Sequence, residues 1–187
     1  MATRRRRRIK ICFSVSALFL IIFATVIVTL SFTIFRPKDP EVSLHLVDLE
    51  KFQFFTPNST SESLGLVITV VNKNYGSFKS RNSIGYLNYR HIVVAKVPIE
   101  TKVIPARSKM NVSTSAGIMT NKFMSDPMFW SDIEAGALNL TASVTLPGKV
   151  SMIKILKLKA MVNISCNIYF NLSAVKADSI CISKIKM

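Results

Sequence analysis

Negative charge is missing from the first 38 residues of this chain: the earliest acidic side chain is Asp39, whereas Arg4, Arg5, Arg6, Arg7, Arg8 and Lys10 precede it. Charge of either sign is missing from Ile11 to Phe35. A run of that length, at about 1.5 Å per residue, makes a helix of roughly 38 Å, which exceeds the ~30 Å hydrocarbon core of a bilayer. Ser14, Ser16, Thr25, Thr29, Ser31 and Thr33 interrupt the apolar run, but each hydroxyl can bond back to its own helix. A cleavable signal peptide has a shorter apolar core followed by a small-residue site. This run is longer and ends Leu30-Ser31-Phe32-Thr33-Ile34-Phe35, so an uncleaved signal anchor is expected.

Glycine and histidine are also scarce, with six and two copies. That scarcity, with no phosphate-cradling glycine loop after a strand, argues against nucleotide sites. No Gly-x-Ser-x-Gly elbow and no His-Glu-x-x-His motif occurs. His45 and His91 lie far apart in sequence without metal-ligand spacing, and each reads as an exposed strand residue. No catalytic residue, metal ligand or cofactor is expected. Asp132 and Glu134, a close carboxylate pair, are the candidate for a glycan-processing activity, which needs two carboxyl groups roughly 5 to 9.5 Å apart.

The asymmetry of basic residues orients the anchor, because cytoplasmic flanks accumulate Lys and Arg. Arg4 to Arg8 and Lys10 act as the topogenic signal and keep the short N-terminus in the cytoplasm, while only Arg36 and Lys38 flank the far end. A basic run touching a spanning segment is topogenic rather than a nucleic-acid arm, so no nucleic acid is expected as a partner. The layout is therefore residues 1–10 as a basic cytoplasmic tail, 11–35 as a transmembrane signal anchor, and 36–187 as one exterior or lumenal domain. The protein is a single-pass type II protein of the plasma membrane or endomembrane on this reading. The exterior part carries about +8 net charge, with Lys149, Lys154, Lys157 and Lys159 as its visible cluster. Such a surface is drawn toward an acidic polysaccharide, lipid headgroups or an acidic protein.

Beyond Val42 the apolar residues recur at every second position, the pattern of half-buried strands. Val162, Ile164, Cys166, Ile168, Phe170 and Leu172 share one face, and Leu138, Leu140, Ala142, Val144 and Leu146 share another. Further strands are predicted over 42–49, 64–71, 84–94, 102–119 and 180–185, with turns at 72–76 and at Pro147-Gly148. A short helix or turn is predicted over 125–134. Around seven strands without a long amphipathic helix make an all-β chain, an antiparallel β-sandwich preceded by one transmembrane helix. Met128, Phe129 and Trp130 are expected either to plug one end of its core or to form a binding patch.

The exterior compartment is oxidising, so Cys166 and Cys181 are candidates for a disulfide. Five Asn-x-Ser/Thr sequons occur, at Asn58, Asn111, Asn139, Asn163 and Asn171. The alternation places Asn139, Asn163 and Asn171 on the solvent face, where a glycan would not meet the core.

The segments Asn72-Lys73-Asn74-Tyr75-Gly76-Ser77-Phe78-Lys79, Tyr86 to Tyr89 and Ala106-Arg107-Ser108 resemble a known family. Gly136-Ala137-Leu138, Leu146-Pro147-Gly148-Lys149-Val150, Cys166 and Cys181 extend the likeness. In order and spacing the chain resembles the plant late embryogenesis abundant group 2 domain proteins, in their harpin-induced-like, membrane-anchored branch. Lys73 departs from the usual Asn-Pro-Asn turn of that family. The resemblance implies a fibronectin-like or immunoglobulin-like sandwich, no enzyme activity, and a role in pathogen defence or water stress through interaction with a partner or a wall or membrane polyanion. An alternative expectation is a sandwich that binds or transfers lipid beside the membrane, using its many apolar strand residues.

Overall fold

A computed structural model of the chain describes residues 2–34, 36–47, 62–152 and 156–186. It divides into two compact units, Met1–Pro37 and Lys38–Met187. The first is one helix, α1 (Ala2–Ile34), whose segment Lys10–Leu30 is long and apolar enough to cross a membrane. Inside it the Thr29 hydroxyl donates to the carbonyls of Thr25 (2.8 Å) and Val26 (3.0 Å), and Thr25 donates to the carbonyl of Ile21. These back-bonds are how a polar side chain is tolerated in an apolar helix.

Among its described residues the second unit is antiparallel β with two short helices. Its strands are β1 (Glu41–Val47), β2 (Glu62–Asn72), β3 (Ser77–Ser80), β4 (Ser83–Tyr89), β5 (Ile92–Ile99), β6 (Val103–Ile104), β7 (Ser108–Ile118), β8 (Ala137–Met152), β9 (Leu156–Asn171) and β10 (Lys176–Lys186). Helices α2 (Thr120–Met124) and α3 (Phe129–Glu134) lie between β7 and β8. Neighbours run β1-β2-β7-β5-β4-β8, and β8 then pairs β9, which pairs β10. Strand β8 changes partner along its length, meeting β4 over Leu140–Ser143 and β3 over Gly148–Ser151.

The two ends of the sheet come together through side chains rather than a backbone ladder. The Ser179 hydroxyl donates to the Leu44 carbonyl (2.7 Å) and accepts from the Leu44 amide (3.3 Å). Ser183 reaches the Pro40 carbonyl, and Asp39 accepts from the Ile185 amide (2.8 Å). Strand edges with unpaired backbone groups invite foreign strands, and this seam satisfies them internally. The sandwich expected from alternation is thus a rolled, barrel-like sheet with one apolar interior.

The long β8–β9 hairpin carries the alternation. Leu138, Leu140, Leu146, Val150 and Met152 on β8, and Val162, Ile164, Cys166, Ile168 and Phe170 on β9, are buried. Their sequence neighbours Asn139, Thr141 and Thr145 face solvent. Leu172 falls in the turn after β9 and is half-buried.

Four sequence expectations need correction. Pro147-Gly148 is no turn, since both residues pair within β8, opposite Met161 and Ala160. The Pro147 carbonyl accepts from the Arg81 amide (2.8 Å). In a strand the N and O of one residue point the same way, so the missing proline N–H faces β8's switch of partner and costs no bond to β9. Gly148 is required by a close approach, because a Cβ there would lie 2.5 Å from the Lys79 carbonyl and from the Phe78 ring. The strand predicted over 84–94 is two strands joined by Arg90-His91, with Arg90 at φ 51°. That turn lacks the Gly or Asn that announces a two-residue hairpin loop, so the apolar pattern reads straight through it. The strand predicted over 102–119 splits at 105–107, where Arg107 has φ 53°. Finally α2 was not anticipated, while the helix or turn predicted over 125–134 is a turn at 125–128 followed by α3. Asp126 forms a side-chain turn, accepting from the Met128 amide (2.9 Å).

Candidate functional site

The inward side chains of the rolled sheet do not fill it. A cavity of about 90 Å³ remains, with no polar surface on its walls. That is room for roughly six to nine water-sized spheres, but a water needs two to four polar partners and finds none on such walls. Leu44, Leu64, Leu66, Leu87 and Ile164 supply deeply buried lining. Val42, Leu46, Ile68, Ile99, Val112 and Val144 also line it but are only half-buried.

The backbone ladder is short between the strands that carry Ile99 and Val112. Strands β5 and β7 pair only at Ala95–Ile118 and Lys96–Gly117, and then diverge. Beyond that pairing the Thr114 hydroxyl donates to the Pro98 carbonyl (2.7 Å), bridging the strands. Polar residues also border the cavity: Ser80, Glu100 and Lys102. Lys102 pairs with Glu100 at 3.6 Å, and its backbone amide is held by the Ser80 hydroxyl (3.0 Å). An apolar interior bordered by Glu100, Lys102 and hydroxyl-bearing residues such as Ser80 suits an amphiphile, with its chain inside and its polar end at the rim.

A second cluster of polar groups is structural. Tyr89 is fully buried, and its hydroxyl donates to Asp132 Oδ2 (2.6 Å). Arg90 Nη2 donates to both carboxylate oxygens of Asp132 (3.0 and 3.2 Å). The Tyr89 hydroxyl, then the Arg90 guanidinium, hold the Asp132 carboxyl below its ordinary value, against burial, which acts the other way. Burial, followed by the bond to Asp132, pushes the Tyr89 phenol up. The Tyr89 ring packs on Phe123 and Phe129, with centroids 5.5 and 6.0 Å away. This plugs one end of the core, as one reading of Met128-Phe129-Trp130 expected for Phe129. Trp130 and Met128 are about half exposed, as is Met124.

The residues singled out in the sequence are scattered over the fold. His45 is exposed on β1 and His91 is exposed in the β4–β5 turn. Asp132 and Glu134 stand two positions apart on α3, a spacing that does not face two helix side chains toward each other. Among the described residues no three His, Cys, Asp or Glu side chains lie close enough to hold a metal ion. Cys166 and Cys181 face each other directly across β9 and β10 and are joined in a disulfide, with Cα atoms 4.0 Å apart.

Asn111 and Asn139 are exposed, whereas Asn163 and Asn171 are half-buried. The Asn163 amide oxygen accepts from the Thr145 hydroxyl (3.0 Å), and that of Asn171 accepts from the Ala174 amide (3.0 Å). Asn58 lies outside the described residues, as does Lys154. Arg4 to Arg8 lie on the first turns of α1, and Lys10 is exposed.

The Asn72–Gly76 turn is built as a polar knot. Asn72 is buried, and its side-chain amide donates to the carbonyls of Gly76 and Pro105 (both 2.9 Å). Asn74 exchanges hydrogen bonds with the backbone of Lys38 (2.7 Å each way). The Arg107 guanidinium lies 4.0 Å from the centroid of Tyr75.

No protein-family model matches the chain, and no curated protein matches it. Among solved structures, the crystal structure of a protein from Archaeoglobus fulgidus aligns with a TM-score of 0.39 and 6% identity. The alignment covers 80% of this chain and 97% of that one. At that level the likeness carries no argument about function.

Proposed function

We propose that this protein is a non-enzymatic, membrane-tethered binding domain that takes an alkyl chain of an amphiphile into its rolled sheet. The observation that carries this reading is the cavity of about 90 Å³ with no polar wall. Burying alkyl surface there gains about 0.8 kcal/mol per methylene, and the dry walls offer nothing to a competing water. The helix Lys10–Leu30 supports tethering, and the basic flank at Arg4 to Arg8 supports a type II orientation with the β domain outside the cytoplasm.

The test is photolabelling of the full chain in phosphatidylcholine vesicles that contain a diazirine-bearing fatty acid, followed by peptide mapping. Labels are expected on β1, β2 and β7 peptides around Val42, Ile68 and Val112, and Ala142→Phe, which places a ring toward the cavity, is expected to reduce them severalfold. Labels confined to α1 would overturn the proposal.

A second reading is a partner-binding protein of the cell surface in defence or water stress, the role implied by the family resemblance. Its specific support is the exposure of Met124, Met128 and Trp130 at α2, α3 and the turn between them, since large apolar side chains at a surface suit a protein partner. Crosslinking from a photoreactive residue at position 130 in plant membranes tests it. Recovery of no discrete adduct would remove it.

A further inference from the structure

Sheet register builds a groove on the outer face of the β domain. Tyr86 on β4 stands opposite Ser143 on β8, Ser143 opposite Ser165 on β9, and Ser165 opposite Ile182 on β10. Two large side chains thus stand three strand spacings apart, roughly 14 Å, with two serines between them. In the next row Thr145 stands opposite Asn163, and Asn163 opposite Lys184. Small side chains of β8 and β9 form the floor, and Ile84, Tyr86 and Ile182 flank it, enclosing about 540 Å³. An outward strand position ordinarily carries a polar residue. The exposed Ile84, Tyr86 and Ile182 break that pattern around the groove.

Asn163 and Ser165, the two polar members of the sequon Asn163-Ile164-Ser165, both lie in that floor. The Asn163 amide oxygen accepts from the Thr145 hydroxyl (3.0 Å), which leaves to the groove the amide nitrogen, the atom that bears an N-glycan. Asn139 is exposed elsewhere on β8 and does not line the groove. A pyranose offers a face of C–H bonds and a rim of hydroxyls. Tyr86 and Ile182 suit the first, and the Ser143 hydroxyl and the Lys184 ammonium suit the second. A freely diffusing ligand loses translational freedom on entering such a groove, whereas a glycan on Asn163 is held there by its own linkage.

We propose that Asn163 carries an N-glycan whose first sugars, N-acetylglucosamine units, lie in this groove and cover Tyr86 and Ile182. This rests on the proposed placement of the β domain outside the cytoplasm, where such glycans are transferred. The donor is an oligosaccharide on a lipid diphosphate. A bond forms between the Asn163 amide nitrogen and the anomeric carbon of the sugar, the bond from that carbon to the diphosphate oxygen breaks, and the nitrogen gives up one proton. Transfer to the unfolded chain precedes the pairing of β9 with β8 and β10, so the half-burial of Asn163 in the finished sheet does not obstruct it. Once the strands pair, the sugar shields the flanking apolar side chains from water. The groove opens on the outer face, away from the cavity, so an alkyl chain inside the sheet does not compete with the glycan.

The experiment uses the full chain from eukaryotic cells that leave oligomannose glycans, with peptide mapping of each sequon and nitration of tyrosines by tetranitromethane. Asn163 is expected to be occupied, and Tyr86 to be nitrated severalfold more slowly in wild type than in Ser165→Ala, which removes the sequon and keeps Asn163 beside Thr145. Tyr75, exposed in the turn at 72–76, is expected to react equally in both. The Asn163 glycan is expected to resist, in the folded protein, an endoglycosidase that trims it after unfolding, and Tyr86→Ala is expected to make it sensitive. Glycan at Asn111 or Asn139 with Asn163 bare would overturn the proposal and leave the orientation standing. Glycan at no sequon would overturn both. Occupied Asn163 with equal nitration of Tyr86 in wild type and Ser165→Ala, or with equal trimming in wild type and Tyr86→Ala, would overturn the packing of the glycan in the groove.

Discussion

Tyr89, Arg90 and Asp132 join the β4–β5 turn to α3, and their chemistry makes the domain sensitive to acid. Arg90 occupies left-handed backbone space, a cost of about 1 to 2 kcal/mol for a residue with a Cβ. Its guanidinium offsets that cost by gripping the same carboxylate that accepts from buried Tyr89. The folded-state value of Asp132 is depressed, so its contribution is complete above the unfolded value near 3.9 and is lost as pH falls through the lower folded-state value. Urea midpoints measured from pH 6 to pH 2 should therefore fall less steeply below about pH 4 in Asp132→Asn than in wild type. Tyr89→Phe should cost about 1.5 to 3 kcal/mol at neutral pH, the range for a hydrogen bond to a charged group. None of this clamp was legible from sequence. Asp132 attracted notice only through nearby Glu134, whereas its actual partners precede it by some forty positions. Gly148 is a second residue whose role needed the fold. Its replacement by alanine drives a Cβ into the Lys79 backbone, and a drop of more than about 2 kcal/mol is expected from overpacking, read from the urea midpoint.

Strands β8 and β9 were the most legible elements, because inward apolar and outward polar residues alternate over most of their length. Their ends were not, since Pro147-Gly148 carries the local chemistry of a turn and is kept in the strand by pairing on both sides. Strand β10 reads weakly, with alternating half-buried and exposed residues throughout and Ile180 and Ile182 well exposed. Its small inward residues serve the seam instead of the core. Ser179 satisfies both backbone groups of Leu44 that face away from β2. Ser179→Ala should therefore raise the amide exchange rate of Leu44 about tenfold, corresponding to ~1 kcal/mol, while amides on the β1–β2 ladder such as those of β2 change little. Equal acceleration along both faces of β1 would mean that the serine acts on global stability alone.

At the scale of the whole domain, closure joins residues far apart in sequence, since Leu44 on β1 meets Ser179 on β10. Such topology carries a high loop-closure cost before its contacts form, and refolding of the oxidised β domain should take milliseconds to seconds rather than microseconds, as stopped-flow fluorescence of Trp130 would report. The same closure creates the cavity, whose walls come from β1 to β9 together. It also aligns Lys79 with Lys149 and Lys149 with Lys159, so that two members of a cluster read along the chain stand with Lys79 in a row across three strands. The sequence by itself determined the apolar helix, the all-β character of the rest and the facing of Leu138 to Leu146 and Val162 to Phe170. Those follow from local hydropathy and from the two-residue period of a strand, which any short window displays. Only the tertiary structure decided strand order, the β1–β10 seam, the disulfide's cross-strand position, the Tyr89–Asp132 clamp, the cavity and the row of lysines. Each depends on which distant strands become neighbours and in what register, and pairing of that kind is selected by the packing of the whole sheet.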